Sequence, residues 1–214
     1  MNFDIFLESL PKIKNIPLPA EASQFKMSPP FRNDLIERYR EAMKSAKQAG
    51  VVALFFPDEA YRTKLALILR KTYRGVHSAQ IGFPGGKIEP DDANLEMAAI
   101  RETYEEIGVP ANQFAIIRQL TQVYIPPSNF HVQPYIGVCE QTPLFVKQDD
   151  EVEEIVDVYL DDLLDDSNVD NRKVETSLNM KIEVPVFTLN GHIVWGATAM
   201  MLSEVKDLLK QSCL

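Results

Sequence analysis

Arg101, Glu102, Glu105 and Glu106 crowd three carboxylates and a guanidinium into six positions of this 214-residue chain. On a helix, residues three and four apart share a face, so Glu102, Glu105 and Glu106 project together and Arg101 reaches Glu105. Like charges at that spacing repel by roughly 0.2–0.5 kcal/mol per pair unless a cation compensates them. A hard divalent ion is the obvious compensator, because Mg2+ takes oxygen ligands and binds through one or two carboxylates together with the phosphates of a substrate. Just upstream, Gly85-Gly86 lets backbone come close to the same place and offers carbonyl oxygens to complete a coordination shell. A solvated acidic helix face has the same composition. Order and spacing must separate the two.

The positioning element is a helix expected over Ala93 to Ile107. It has good helix formers at Leu95 to Ala99, an apolar set of Leu95, Ala99, Ile100, Tyr104 and Ile107, and Asp91 or Asp92 to cap its start. Gly108 and Pro110 stop it. Before it, Val51 to Phe56 and Lys64 to Lys71 read as strands joined by a Pro-Asp turn. After it, Phe114 to Ile125 and Phe130 to Glu140 form a second long pair around Pro126-Pro127-Ser128-Asn129. The acidic run 148–154 enters a strand at Ile155 to Leu160. A short acidic helix at Asp161 to Asp166 and a polar loop to Lys173 follow, then strands around Lys181 to Leu189 and His192 to Trp195. Asn190-Gly191 is a strong two-residue hairpin signal. A terminal helix extends to Gln211. At the other end, residues 1–33 combine an amphipathic start with prolines that break regular structure, and Asn33 to Ala49 reads as a helix ended by Gly50. The layout is α/β with a mixed sheet. Residues 1–49 form an N-terminal extension that packs on the domain or on a neighbouring subunit, and 50–214 form the main domain.

Net charge of −9 and a sequence pI near 4.9 argue against nucleic acid as a partner, since phosphate backbones are held by clustered Lys and Arg. A phosphorylated small molecule needs only a local basic patch, and Arg62, Lys64, Arg70, Lys71, Arg74 and Lys87 supply one. Cys139 and Cys213 have no metal-type spacing and suggest no disulfide framework, so a reducing compartment is the default. No apolar run of about 20 residues and no secretory leader is present, which predicts a soluble protein with no membrane partner. The final Ser-Cys-Leu is distantly similar to a peroxisomal Ser-Lys-Leu address but lacks its cation, leaving the cytoplasm as the expected compartment.

Gly86 followed by Arg101-Glu102-Thr103-Tyr104-Glu105-Glu106-Ile107-Gly108-Val109 resembles the Nudix box, G-x5-E-x7-R-E-U-x-E-E-x-G-U with U aliphatic. The interval from Gly86 to Arg101 is one residue longer, Asp92 stands at the first Glu, and Thr103 replaces the aliphatic U. That lengthened, Asp-containing form is similar to the coenzyme A pyrophosphatase branch. So is the upstream run Leu69-Arg70, Arg74, His77, Ser78, Gln80 and Phe83-Pro84-Gly85-Gly86, although Ala79 stands where Gly is usual. Phe130 to Gly137 and Trp195-Gly196-Ala197-Thr198-Ala199 also resemble that branch.

The resemblance implies a Nudix fold, a mixed β-sheet sandwiched between helices (α/β/α), with an N-terminal helical extension. It implies metal-dependent hydrolysis of the pyrophosphate bond of coenzyme A or an acyl derivative, with Mg2+ or Mn2+ as cofactor. Glu102 and Glu106 would be the principal metal ligands, joined by Glu105 and the carbonyl of Gly86. Arg101 would orient Glu105, and Glu102 or a carboxylate from outside the box, Glu151 before Glu154, would take the proton of the attacking water. Arg70, Lys71 and Arg74 would hold substrate phosphate, with Gly85 admitting it to the backbone. NADH, ADP-ribose or another nucleoside diphosphate derivative is the alternative substrate class, and a non-catalytic nucleotide- or protein-binding module the alternative of another kind. His131 reads more readily as a hydrogen-bonding residue than as a catalyst, and Trp195 as a buried anchor. Apolar residues near both termini are compatible with a homodimer, as in many Nudix proteins.

Overall fold

The computed structural model describes residues 1–72, 79–175 and 181–213. Helix α1 (Phe3–Asn15) starts where the Asn2 side chain accepts a hydrogen bond from the Asp4 amide, and it buries Phe3, Phe6 and Ile13 completely. Pro11 lies inside this helix rather than ending it. Helix α2 (Ala20–Gln24) runs into a single 3-10 turn. The helix expected from Asn33 to Ala49 is instead two short pieces, α3 (Arg32–Arg38) and α4 (Arg40–Met43). The last residues of that span belong to strand β1 (Lys47–Pro57). Pairing explains the difference: Lys47 to Val51 carry ladder bonds to strands far away in the chain, which outweigh local helix propensity.

Strands β2 (Thr63–Arg70), β3 (Ile81–Gly82) and β4 (Gly85–Lys87) follow, and then helix α5 (Leu95–Ile107). The segment expected as one strand from Phe114 to Ile125 divides into β5 (Phe114–Gln119) and β6 (Val123–Ile125), both antiparallel to β7 (Phe130–Cys139). Strand β8 (Val152–Tyr159) and helix α6 (Leu160–Leu164) lead to β9 (Val169–Glu175), which replaces the expected polar loop because it pairs along its length with β10 (Lys181–Leu189). Strand β11 (His192–Val194) closes a hairpin through Asn190-Gly191, both at positive φ, and α7 (Gly196–Cys213) ends the described chain.

The main sheet runs β3-β2-β1-β7-β5, with β4 and β6 on β1 and β7 and with β8 on β2; β9, β10 and β11 make a second, three-stranded sheet. Among these pairs β1 and β7 are parallel and the others antiparallel, so the sheet is mixed. Strict alternation in β1 divides the interior. Val51, Ala53 and Phe55 join α1 and α7 on one face, whereas Val52, Leu54 and Phe56 meet the layer under α5 on the other. The result is an α/β/α sandwich with the N-terminal helix packed into it: Phe6 packs against Phe55 with ring centroids 5.0 Å apart and planes tilted by 38°. Among the described residues no helix is long and apolar enough to cross a membrane.

Candidate active site and metal centre

Two close approaches set the position of α5. At Gly50 in β1, a Cβ would lie 2.1 Å from the Leu95 carbonyl, so the helix N-terminus rests directly on the strand. At Gly86 in β4, a Cβ would lie 2.4–2.6 Å from the Glu102 carboxylate, so that side chain lies flat over the backbone. Asn94, not Asp91 or Asp92, caps the helix by accepting from the Met97 amide, and Gly108 closes it in the left-handed conformation.

Asp92 is freed for another task. Arg101 donates to it through Nε (3.1 Å) and NH2 (2.9 Å), a bidentate pair, while NH2 also reaches the Lys87 carbonyl at 3.1 Å. NH1 donates to Glu102 at 3.1 Å and to Glu105 at 2.8 Å. One guanidinium thus ties the loop after β4 to two carboxylates of the helix. These bonds hold Asp92 below the usual carboxylate range and raise Arg101 above its own. The tie to Asp92 escaped the sequence reading because nine positions separate the partners and the loop between them has no period.

The three glutamates do not share one environment. Glu105 is 51% exposed and Glu106 only 2%. Glu106 accepts from the Gly85 amide at 2.7 Å through one oxygen, and its other oxygen has no hydrogen-bond partner although Arg70 NH1 stands 3.3 Å away. Burial pushes its carboxyl up to about 7, against the pull of Arg70 and the Gly85 amide. Burial also raises Glu102, with Arg101 opposing, and the charge of Glu151 adds to the rise in both.

Glu151 reaches this cluster because its loop is fastened to α5. Val146 donates to the Ile107 carbonyl and Gln148 to the Glu106 carbonyl, both at 3.0 Å, and the Gln148 side chain accepts from the amides of Asp150 and Glu151. The Glu151 carbonyl in turn accepts from the Lys71 amide, just past a bulge at Leu69/Arg70. Glu102, Glu106, Gly85, Gly86, Arg70, Lys71 and Glu151 are therefore brought to one rim; Glu105 joins through Arg101 and faces solvent. Arg74 lies outside the described residues, as do His77 and Ser78. Glu154 points elsewhere, 3.7 Å from His192, and His131 packs on Tyr124. Gln148 is a positioning residue that sequence reading missed; its only signal was a polar residue opening the acidic run.

Among the described residues, no three acidic, His or Cys side chains form a ready-made cage. The donor set nonetheless suits a hard cation: a buried carboxylate oxygen lacking a hydrogen bond, a second carboxylate seated on Gly86, and only oxygen ligands. Glu106, Glu102 and the Gly86 carbonyl are the groups that would hold it.

A helix that carries carboxylates suited to a hard cation, set in an α/β/α sandwich, points to a class, and the comparisons agree with it. Residues 46–178, more than half of the chain, match the NUDIX domain, and the chain belongs to the Nudix hydrolase family. Membership sets the activity class, hydrolysis of a nucleoside diphosphate derivative, in a family that generally uses divalent metal ions. The chain is 28% identical over 142 residues to the uncharacterized Nudix hydrolase NudL of Yersinia pestis (strain Pestoides F), covering 66% of this chain and 70% of that one; NudL of Yersinia pseudotuberculosis serotype O:1b matches equally. Among solved structures it is similar to the Mycobacterium smegmatis Nudix hydrolase RenU, at a TM-score of 0.54 and 15% identity over 78% of this chain and 87% of that one. A MutT/nudix family protein from Enterococcus faecalis matches at a TM-score of 0.53 and 15% identity, covering 78% and 62%. At these identities the structural likeness speaks for the fold alone.

Proposed function

We propose that this protein hydrolyses the pyrophosphate bond of coenzyme A or an acyl derivative, releasing 3′,5′-adenosine bisphosphate and 4′-phosphopantetheine or its acyl form. The observation that carries the hydrolytic part is Glu106, a buried carboxylate with an oxygen lacking any hydrogen bond, beside Glu102 on Gly86. The coenzyme A part rests on the run from Leu69 to Gly86, which resembles that branch and whose basic residues Arg70 and Lys71 lie at the same rim.

A bound Mg2+ or Mn2+ would neutralise the diphosphate oxygens and acidify the attacking water. The chain's own groups do the remainder. Glu106, Glu102 and the Gly86 carbonyl would hold such an ion, and Glu105 would join them through a second ion or a water. Arg101 fixes the angle of Glu102 and Glu105 from behind. Glu151 accepts the proton as the water oxygen bonds to phosphorus and the bridging P–O bond breaks, with Glu102 as the other candidate base. Gly85 would let the diphosphate approach the backbone, and Arg70 and Lys71 would hold the extra 3′-phosphate, with Arg74 added on the sequence resemblance alone.

The test is a panel of coenzyme A, acyl-coenzyme A, NADH, ADP-ribose and diadenosine polyphosphates, assayed with Mg2+ and with Mn2+. The expected result is highest kcat/KM on a substrate bearing the pantetheine arm. A preference for ADP-ribose or NADH would overturn the branch and keep the class. No turnover of any of them, with nucleotide still bound, would make the protein a binding module. A reducing, cytoplasmic setting and a homodimer complete the proposal, the latter read by light scattering of the purified protein.

A further inference from the structure

Two arginines serve the carboxylates of this rim, and they are built differently. Arg101 makes five hydrogen bonds to Asp92, Glu102, Glu105 and the Lys87 carbonyl, which leaves it no second position. Arg70 approaches Glu106 with NH1 at 3.3 Å, without hydrogen-bond geometry, from the partly exposed end of an edge-proximal strand. A bulge between Leu69 and Arg70 turns it that way, the kind of local irregularity that re-aims a side chain. Glu106 is anchored on its other oxygen by the Gly85 amide, so its carboxylate keeps its place whichever cation faces it.

We infer that Arg70 is an exchangeable counter-cation: its guanidinium occupies the cation position of Glu106 in the metal-free protein, is expelled by the incoming divalent ion, and is thereby released to face the phosphates of the substrate. The inference rests on the metal platform proposed above. A lone ionised carboxylate in the interior is costly, and a guanidinium that makes no hydrogen bond to it compensates at the lowest cost of removal. Once a dication sits at Glu106, Arg70 is repelled from it and is free to meet the phosphates of the substrate that the dication brings. Metal binding and substrate binding are then coupled through one side chain, without movement of the backbone. Arg70 acts as a positioning residue until substrate arrives.

The test measures Mn2+ binding without substrate, by electron paramagnetic resonance at mildly alkaline pH, in the wild type, R70M, R70K and E106Q. R70M keeps the aliphatic stem and removes the competing charge, so it should bind Mn2+ about tenfold more tightly while melting several degrees lower in EDTA. R70K retains a cation and should stay within about twofold of wild type in both. Should R70M fail to fold, solvent exchange of the Arg70 Nε proton in the wild type, assigned by its loss in R70K, should speed up as Mg2+ is added. An unchanged or weaker Mn2+ Kd in R70M, or an exchange rate indifferent to Mg2+, overturns the inference while E106Q still loses Mn2+ binding. If E106Q binds Mn2+ as the wild type does, the platform itself is misplaced and both readings fall.

Discussion

Glu106 is the side chain on which chemistry and stability meet. Its replacement E106Q keeps the shape and the acceptor for the Gly85 amide but removes the charge. Turnover should fall by about 100- to 1,000-fold with no loss of Tm, and steady-state kinetics beside thermal melting check it. The same residue makes a pH prediction. Its folded pKa, about 7, lies above the ordinary 4.5, so between those values the folded protein binds more protons than the unfolded chain. The stabilising contribution is complete below about 4.5 and is lost as pH rises through about 7, amounting to about 3 kcal/mol. Urea midpoints of the EDTA-treated protein should therefore decline across that window, and E106Q should flatten the decline. The carboxylates were legible in the sequence by type and spacing. Their division into a buried Glu106 and an exposed Glu105 was not, because it depends on how far β4 and the 146–151 loop cover the helix.

At the scale of elements, α5 is held by two glycine contacts of unlike consequence. Gly50→Ala drives a methyl into the backbone carbonyl of Leu95, which cannot step aside without lifting the helix, so a loss of about 3 kcal/mol is expected in chemical denaturation. The nearest atoms that Gly86→Ala meets are the end of the Glu102 side chain, which can rotate away. Stability should then change by less than about 1 kcal/mol while activity drops about 10- to 100-fold. Helix α5 and the Asn190-Gly191 hairpin were readable because periodicity, a stop glycine and turn chemistry are local signals. The strand identity of Lys47 to Gly50 was hidden, since its cause is the pairing with Phe130 to Gln133 and with Gly86 and Lys87, far along the chain. Strand β9 was hidden for the same reason: five of its seven residues are polar, nearly all are exposed, and it is the pairing with β10 that makes them a strand.

For the whole molecule, the N-terminal helix belongs to the same interior as the sheet. Phe3, Phe6 and Ile13 lie in one cluster with Phe55, Leu65 and the α7 residues Val205 and Leu208. Phe6→Ala should cost about 3–5 kcal/mol and leave a single cooperative unfolding transition, as urea denaturation followed by two probes would report. An early, separate transition for residues 1–49 would instead mark them as an independent layer. The boundary expected between 49 and 50 falls within β1, which is buried on both faces and paired along both edges. That placement has a consequence in time as well as in space. Amide protons of β1 should be the last in the molecule to exchange with solvent, released only by global unfolding, while those of the 146–151 loop exchange by local opening. The carboxylate Glu151 thus rides on a faster clock than the strand on which the helix of Glu102 and Glu106 rests.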